Sequence, residues 1–473
     1  MEGRTANIQT GSVPAGSSHR EGARSRGLSL SEDADLFLLL GLLLLTEVFG
    51  RSFSQIGVGD TVFVTEVLLV ATTVAIVVRL GLRDAFELLR ARVPLVLLLI
   101  FWLLGAYATV RGLRDWGLSF VTEDVGLFEY SVLVPLTVLV VRDRARLETF
   151  GLGLLIGSVV CAVLFFGTMI VLRVDSDSPL VFLVGAPSGM YISFFVGWVA
   201  TRFAHGLGVR PAFVALAAFG LLMMWITDQR SVWVAVIAVL AAVVLLSPPR
   251  LIPIAVMASL VVVTFAATVG LQSLFPVPPG ATVAEGDGGA GNPQAIREVS
   301  AIAGGASGAE AENVQWRLAY WKELSRRTFS DPQIAAVGIG FGEPAAFVWN
   351  GRKYDFRDGD PGTGQDVAGP HNSFVAILYR MGLPALLCVV GLVGVALWRV
   401  RPLLWGERRL ESTQRANVVA IVAALGSTVA VASFNEALKG PFLGMYFWVA
   451  VALLLAVAAI YGTRESAGSD RPA

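Results

Sequence analysis

The chain has 473 residues, with 36 Lys and Arg balanced by 36 Asp and Glu. Hydrophobic residues make up 55% and charged residues 15%, with a mean hydropathy of +0.69, whereas soluble domains carry about 25% charged residues. This composition excludes an ordinary cytoplasmic enzyme, and the zero net charge offers no basic bulk for nucleic acid.

Residues 1–33 are rich in Gly, Ser and Arg and lack the apolar core of a signal peptide, so they are predicted to form a disordered cytoplasmic tail. Apolar runs follow at 35–50, 58–78, 93–110, 125–141, 147–172, 180–200, 211–227, 231–247, 251–270, 372–398, 414–432 and 440–461. Lipid leaves the backbone no partner but itself, so runs of this length read as helices. The expected fold is an all-α integral membrane protein of about twelve transmembrane helices, with one large extracytoplasmic loop containing short helices. Nine spans lie within 34–270, the loop is 271–371, three spans lie within 372–461, and 462–473 is a second cytoplasmic tail. With residue 1 inside, twenty-one Lys and Arg fall in inner segments and six in short outer loops. The positive-inside rule therefore sets both termini in the cytoplasm.

The loop changes character along its length. Residues 276–312 are rich in Pro, Gly and Ala and read as a flexible strap. Residues 313–330 place Trp316, Tyr320 and Leu324 at helical spacing, with Arg317 and Trp321 on an adjacent face; this predicts an amphipathic helix that Asp331-Pro332 ends. A Gly-rich turn (VGIGFGEP) and a possible short strand pair (FVWNGRKYDF) follow. The loop closes on Gly369-Pro370-His371-Asn372.

Candidate chemistry gathers on the outer turns. His371 sits where the loop meets a span, wet enough to titrate near neutrality, close enough to the bilayer to reach a lipid headgroup, and able to accept a proton from an acceptor hydroxyl; the alternative is a helix-capping residue. Arg230, in a turn of a few residues, faces lipid phosphate or a diphosphate whose oxygens match its fork, or else snorkels. Arg317, Lys322, Arg326 and Arg327 form a basic stripe that is either solvated or holds anionic headgroups. Lys439 and Glu436 line the last outer loop, as a salt bridge or as part of an outer cavity. Glu47 and Glu66 fall inside apolar runs, where carboxylates are functional candidates, although solvation near the end of its span is enough to explain Glu47. The two cysteines, Cys161 and Cys388, lie in apolar runs, and only three histidines are present. Neither a disulfide framework nor a metal or cofactor site is expected. Together these groups describe a cationic outer pocket for an anionic, membrane-bound substrate, and a sugar on a polyprenyl diphosphate fits.

The sequence resembles the O-antigen ligase and polymerase superfamily. His371-Asn372-Ser373-Phe374 followed by Met381-Gly382-Leu383 is similar to that family's H-N-[ST]-[YF] … G-[LI] segment. The series Arg317…Trp321…Pro332…Gly338-x-Gly340 resembles the segment before it, and Thr227-x-x-Arg230-Ser231 resembles its T-x-[ST]-R-[GSA] turn. The resemblance implies a metal-independent, inverting glycosyltransferase of the bacterial plasma membrane. Its donor would be a polyprenyl-diphosphate-linked glycan, and its acceptor a hydroxyl on a glycan, lipid or protein. Arg230 and Arg317 would hold the diphosphate and His371 would orient or deprotonate the acceptor, with Asn372, Arg380, Gln229, Trp321 and Lys439 as substrate contacts. Arg380 departs from the family pattern, where Glu is common, and Gln229 replaces a small hydroxyl residue. A polymerase and a protein glycosyltransferase belong to the same superfamily. Outside it, the alternatives are a twelve-span transporter, whose expected internal repeat is not evident, and an envelope assembly protein.

Overall fold

A computed structural model describes residues 33–54, 56–58, 62–80, 94–171, 186–226, 230–248, 259–266, 309–343, 345–354, 369–405 and 410–462. Two long helices open it, α1 (Ala34–Ser54) and α2 (Val64–Leu80), joined across a minimal hairpin of β1 (Gly57–Val58) and β2 (Val62–Phe63). Next come α3 (Leu95–Asp115), α4 (Leu118–Glu129) and α5 (Leu133–Val140), the last two joined by a single 3₁₀ turn at Tyr130–Val132. Then follow α6 (Arg144–Val171), α7 (Ala186–Ala204), α8 (Pro211–Ile226) and α9 (Arg230–Leu246), and residues 259–266 are helical. The loop region supplies α10 (Ala309–Ser330), α11 (Pro332–Val337) and an antiparallel pair, β3 (Phe347–Trp349) with β4 (Arg352–Tyr354). The chain continues through α12 (Ser373–Met381), α13 (Leu383–Leu404), α14 (Ser412–Phe434) and α15 (Pro441–Gly462).

The protein is all-α in its main architecture, and helix lies within every apolar run named above. Among the described residues, five helices are long and apolar enough to cross a membrane: Leu95–Asp115, Arg144–Leu164, Leu383–Leu404, Ser412–Phe434 and Pro441–Gly462. Three runs differ from the sequence expectation, the first being 58–78, which opens in the β1–β2 hairpin before α2 begins at Val64. The run 125–141 is entered from a separate short helix, α4, and the run 372–398 breaks at Gly382 into α12 and α13. Gly382 has φ +85, and a Cβ there would lie 2.8 Å from the backbone of Ala336 and Val337. The break therefore follows from close packing against α11. The tails and the greater part of the 276–312 strap lie outside the described residues.

α15 is the centre of the bundle, buried without interruption from Leu443 to Val457. A helix that is apolar all round belongs in a core. It packs on α1, α5, α13 and α14. Lipid tails are as apolar as leucine, so such packing relies on close fit, and Gly444, Ala450, Ala452 and Ala456 keep the helix narrow. One polar knot crosses this core. Ser158 Oγ lies 2.6 Å from Glu47 Oε1 and Tyr446 Oη 3.2 Å from Oε2. Glu47 is 1% exposed, so it is held by partners rather than by the solvation that its place near a helix end suggests.

Charged groups collect at the two ends of the bundle. At one end Arg146 pairs with Asp33 (2.7 Å) and Asp35 (2.6 Å), and Arg144 pairs with Glu148 (2.7 Å) and Glu411 (3.5 Å). The other end brings together the C-terminus of α3, the start of α4, the loop helices, the start of α12 and the turn between α14 and α15. The candidate site lies there.

Candidate functional site

α10 carries its apolar stripe inward, as its periodicity predicts. Trp316, Tyr320 and Leu324 are buried against Ala345, Phe347 and Tyr379, and the Tyr320 hydroxyl donates to the Ala345 carbonyl at 3.1 Å. The helix is thereby anchored to the β3 segment and to α12. Its basic stripe is partly committed within the loop. Arg326 and Arg327 both reach Glu323 at 2.8 Å, and Arg327 also donates to the Ala346 carbonyl at 2.8 Å. Asp331 caps α11 by accepting from the backbone N–H of Gln333 at 2.8 Å and Ile334 at 3.4 Å. One pair, Asp331-Pro332, thus ends one helix and starts the next.

The Gly-rich turn after α11 ties the loop to the bundle through main-chain hydrogen bonds. Ile339 and Gly340 N–H donate to the carbonyls of Tyr379 (2.9 Å) and Arg380 (3.1 Å), satisfying the end of α12. Phe341 N–H donates to the Ala108 carbonyl on α3 (3.1 Å), and Arg111 Nη1 donates to the Gly338 carbonyl (3.0 Å). Gly338 has φ +75, and a Cβ there would stand 2.1 Å from the Arg380 carbonyl. No side chain fits at that position.

His371 lies at the junction of these parts, half-buried, with φ +48. Left-handed backbone is uncommon for any residue but glycine and marks positions held by their surroundings. Three contacts hold it. Its N–H donates to Glu436 Oε1 at 3.3 Å. Its ring stands edge-on to Trp316, with centroids 6.2 Å apart. Trp321 Nε1 donates to the carbonyl of the preceding Pro370. Burial first, and then the charge of Arg317, push the imidazole down from 6.5 to about 4, so it is neutral at physiological pH and does not titrate near neutrality as its place at the loop end suggests. Among the described residues neither ring nitrogen has a hydrogen-bond partner.

The structure separates His371 from the capping role. Asn372 caps α12, its Oδ1 accepting from Phe374 and Val375 N–H at 3.0 Å each. Arg317, on α10, donates to the Phe434 carbonyl at 3.4 Å, and its charge reaches His371. Lys439 pairs with Asp124 (3.2 Å) and Glu436 (3.8 Å). Arg380 is half-buried and pairs with Asp124 (3.0 Å) and Glu343 (3.8 Å), and it also donates to the carbonyls of Gly340 and Glu343. Burial and the Asp124 charge raise the Glu436 carboxyl, against the opposing pull of Lys439 and Arg380. Arg230 is the first residue of α9. Its side chain, together with Thr227 and Gln229, lies outside the described residues.

His371, Asn372, Arg317, Trp321, Lys439 and Arg380 therefore share one end of the bundle. Asp124 was not anticipated. It sits at the edge of an apolar run in a short helix, and nothing local in the sequence marks its long-range partners. Residues 212–390 match the family model of the O-antigen ligase. The match runs from α8 into α13 and takes in Arg230, the loop and His371, the motifs on which the resemblance was read. It covers 179 of the 473 residues and supports the resemblance to the O-antigen ligase superfamily. No curated protein matches the chain.

Proposed function

We propose that the protein transfers a glycan from a polyprenyl-diphosphate donor to a hydroxyl acceptor at the outer face of a bacterial plasma membrane. The observation that carries this is the meeting of Arg317 and a neutral His371 at the end of an apolar bundle, within the O-antigen ligase match. The inner face is then the end with Arg144 and Arg146, which agrees with the Lys and Arg distribution. Both termini are cytoplasmic and 271–371 faces outward. About twelve spans follow if the shorter apolar helices also cross.

In the reaction the acceptor oxygen attacks the anomeric carbon from the side opposite the diphosphate, which inverts the centre. The bond from that carbon to the diphosphate oxygen breaks, and its electron pair leaves with the diphosphate. His371 takes the acceptor proton, which contributes roughly 100-fold or more. Arg230 and Arg317 offset the charge developing on the diphosphate, and losing one such donor costs roughly 100- to 1000-fold. Lys439 adds a cation at the same end, and Gln229 a polar contact beside Arg230. Asn372, Trp321 and Arg380 have partners within the protein, which favours a supporting role: they hold the His371 turn and the Gly-rich turn in place.

The test is release of free polyprenyl diphosphate from a lipid-linked oligosaccharide by purified protein in nanodiscs, with a pool of acceptors and EDTA present. Release that requires His371 and survives EDTA is the expected result. Turnover that His371→Ala leaves intact sinks the assigned role, and loss of turnover in EDTA sinks the metal-independent chemistry.

A further inference from the structure

We propose that Asp124, on α4 and outside the matched segment, is a positioning residue for this transfer, holding together the chain segments that surround His371. The inference rests on the functional reading above.

Asp124 is 5% exposed, yet its carboxylate serves three donors from three distant parts of the chain. Oδ2 accepts from the Gly342 N–H (2.9 Å) in the Gly-rich turn and forms an ion pair with Arg380 Nε (3.0 Å) on α12. Oδ1 meets Lys439 Nζ (3.2 Å) in the turn between α14 and α15. From there the contacts run on to His371: Lys439 pairs with Glu436 at 3.8 Å, and Glu436 accepts the His371 N–H at 3.3 Å. A second feature of α4 serves the same end. A Cβ on Gly126 would lie 2.1 Å from the Lys439 carbonyl, so the α14–α15 turn rests directly on the helix backbone. α4 is thus a platform: Gly126 provides the close approach and Asp124 the charge. Because the His371 backbone is in a left-handed conformation, its direction depends on these contacts.

The charge has its own consequence. Asp124 engages Lys439, the cation that the functional reading sets at the donor end, as well as Arg380. Replacing it with Asn keeps an acceptor for Gly342 and loosens Lys439 toward the ground-state donor, while Arg380 stays held by Glu343 and the Gly340 carbonyl. Such a change strengthens ground-state binding while the reacting groups lose alignment, so KM and kcat fall together.

The experiment compares wild type, Asp124→Asn and Asp124→Glu in the diphosphate-release assay, with rates normalised to the folded fraction from size exclusion. Asp124→Asn is expected to lose about 10- to 100-fold in kcat, with the donor KM lowered. Asp124→Glu, which keeps the charge, is expected to recover most of the rate. Amide exchange provides a readout independent of turnover: Asp124→Asn should lose protection at 339–342 and 371 while 383–404 stays unchanged. Where Asp124→Asn does not survive purification, Gly126→Ala lifts the turn off α4 without changing a charge and is expected to reduce kcat in the same way. Wild-type kcat, KM and exchange in Asp124→Asn, or in the second variant Gly126→Ala where the first is lost, overturn the proposal. A lower kcat with unchanged KM and no recovery by Asp124→Glu also overturns it, since that pattern marks a merely structural role. A wild type that releases nothing from any polyprenyl-diphosphate donor removes the transfer reading itself, whatever Asp124→Asn does.

Discussion

His371 combines two properties that the sequence alone does not reveal: a left-handed backbone and an imidazole pushed down to about 4. A base works only when unprotonated, so activity that depends on it should persist through pH 6 and fall as pH drops toward about 4. Arg317→Gln removes a cation that lowers this value, so the acid limb should move toward higher pH, as a pH–rate profile of kcat/KM will show. The same shift bears on stability. Between about 4 and the ordinary 6.5 the folded state holds fewer protons than the unfolded chain, so the contribution of His371 is complete above 6.5 and declines as pH falls through that window. A second prediction at this scale concerns Arg380. Truncating one member of a buried ion pair strands the other, and Arg380→Met leaves Asp124 short of a partner. The expected cost is about 3–5 kcal/mol in detergent unfolding.

Among the elements, α11 and α12 are short, and their ends determine where His371 sits. Asn372→Ala removes the α12 cap and should cost about 1 kcal/mol, visible as faster amide exchange at Phe374 and Val375. Gly338→Ala is more severe, because it combines a backbone at φ +75 with a Cβ 2.1 Å from the Arg380 carbonyl. It should detach the Gly-rich turn from the end of α12 and lower activity without dissolving the long helices, which circular dichroism can verify. These elements also mark how far the sequence can be read. The apolar runs, the amphipathic period of 313–330 and the Asp331-Pro332 boundary are legible because helix period, hydropathy and capping are local properties. The break at Gly382 is not, because Gly382 sits inside an otherwise continuous apolar pattern and is explained only by the approach of α11. Asp124 is illegible for a related reason: a carboxylate on a short helix looks like a surface charge until the fold brings distant cations to it, whereas the local pair Glu436–Lys439 is legible from its spacing. His371 and Arg317 are legible from their place at the loop end and on the loop helix, and Asn372 through motif resemblance, whereas the division of labour between the His371 turn and the Asn372 cap emerges only from the backbone.

At the level of the whole molecule, the two charged ends make sidedness testable. Asn350, in the turn between β3 and β4, is exposed, and so is Arg142 at the opposite end. The native Cys161 and Cys388 are buried. An Asn350→Cys protein should react with a membrane-impermeant maleimide on intact cells, and an Arg142→Cys protein only after permeabilisation. Labelling in the reverse order refutes the outward placement of the loop.

The position of α15 also bears on how the protein is made. Every helix it packs against precedes it in the chain, so the centre of the bundle is synthesised after its walls. Until it inserts, the surrounding helices enclose a vacancy, and the turn carrying Glu436 and Lys439 has no firm C-terminal anchor. Biogenesis therefore imposes an order: a nascent chain already carries His371 and the loop helix while still lacking α15. On the proposed function, completion of the core and onset of transfer then become a single event.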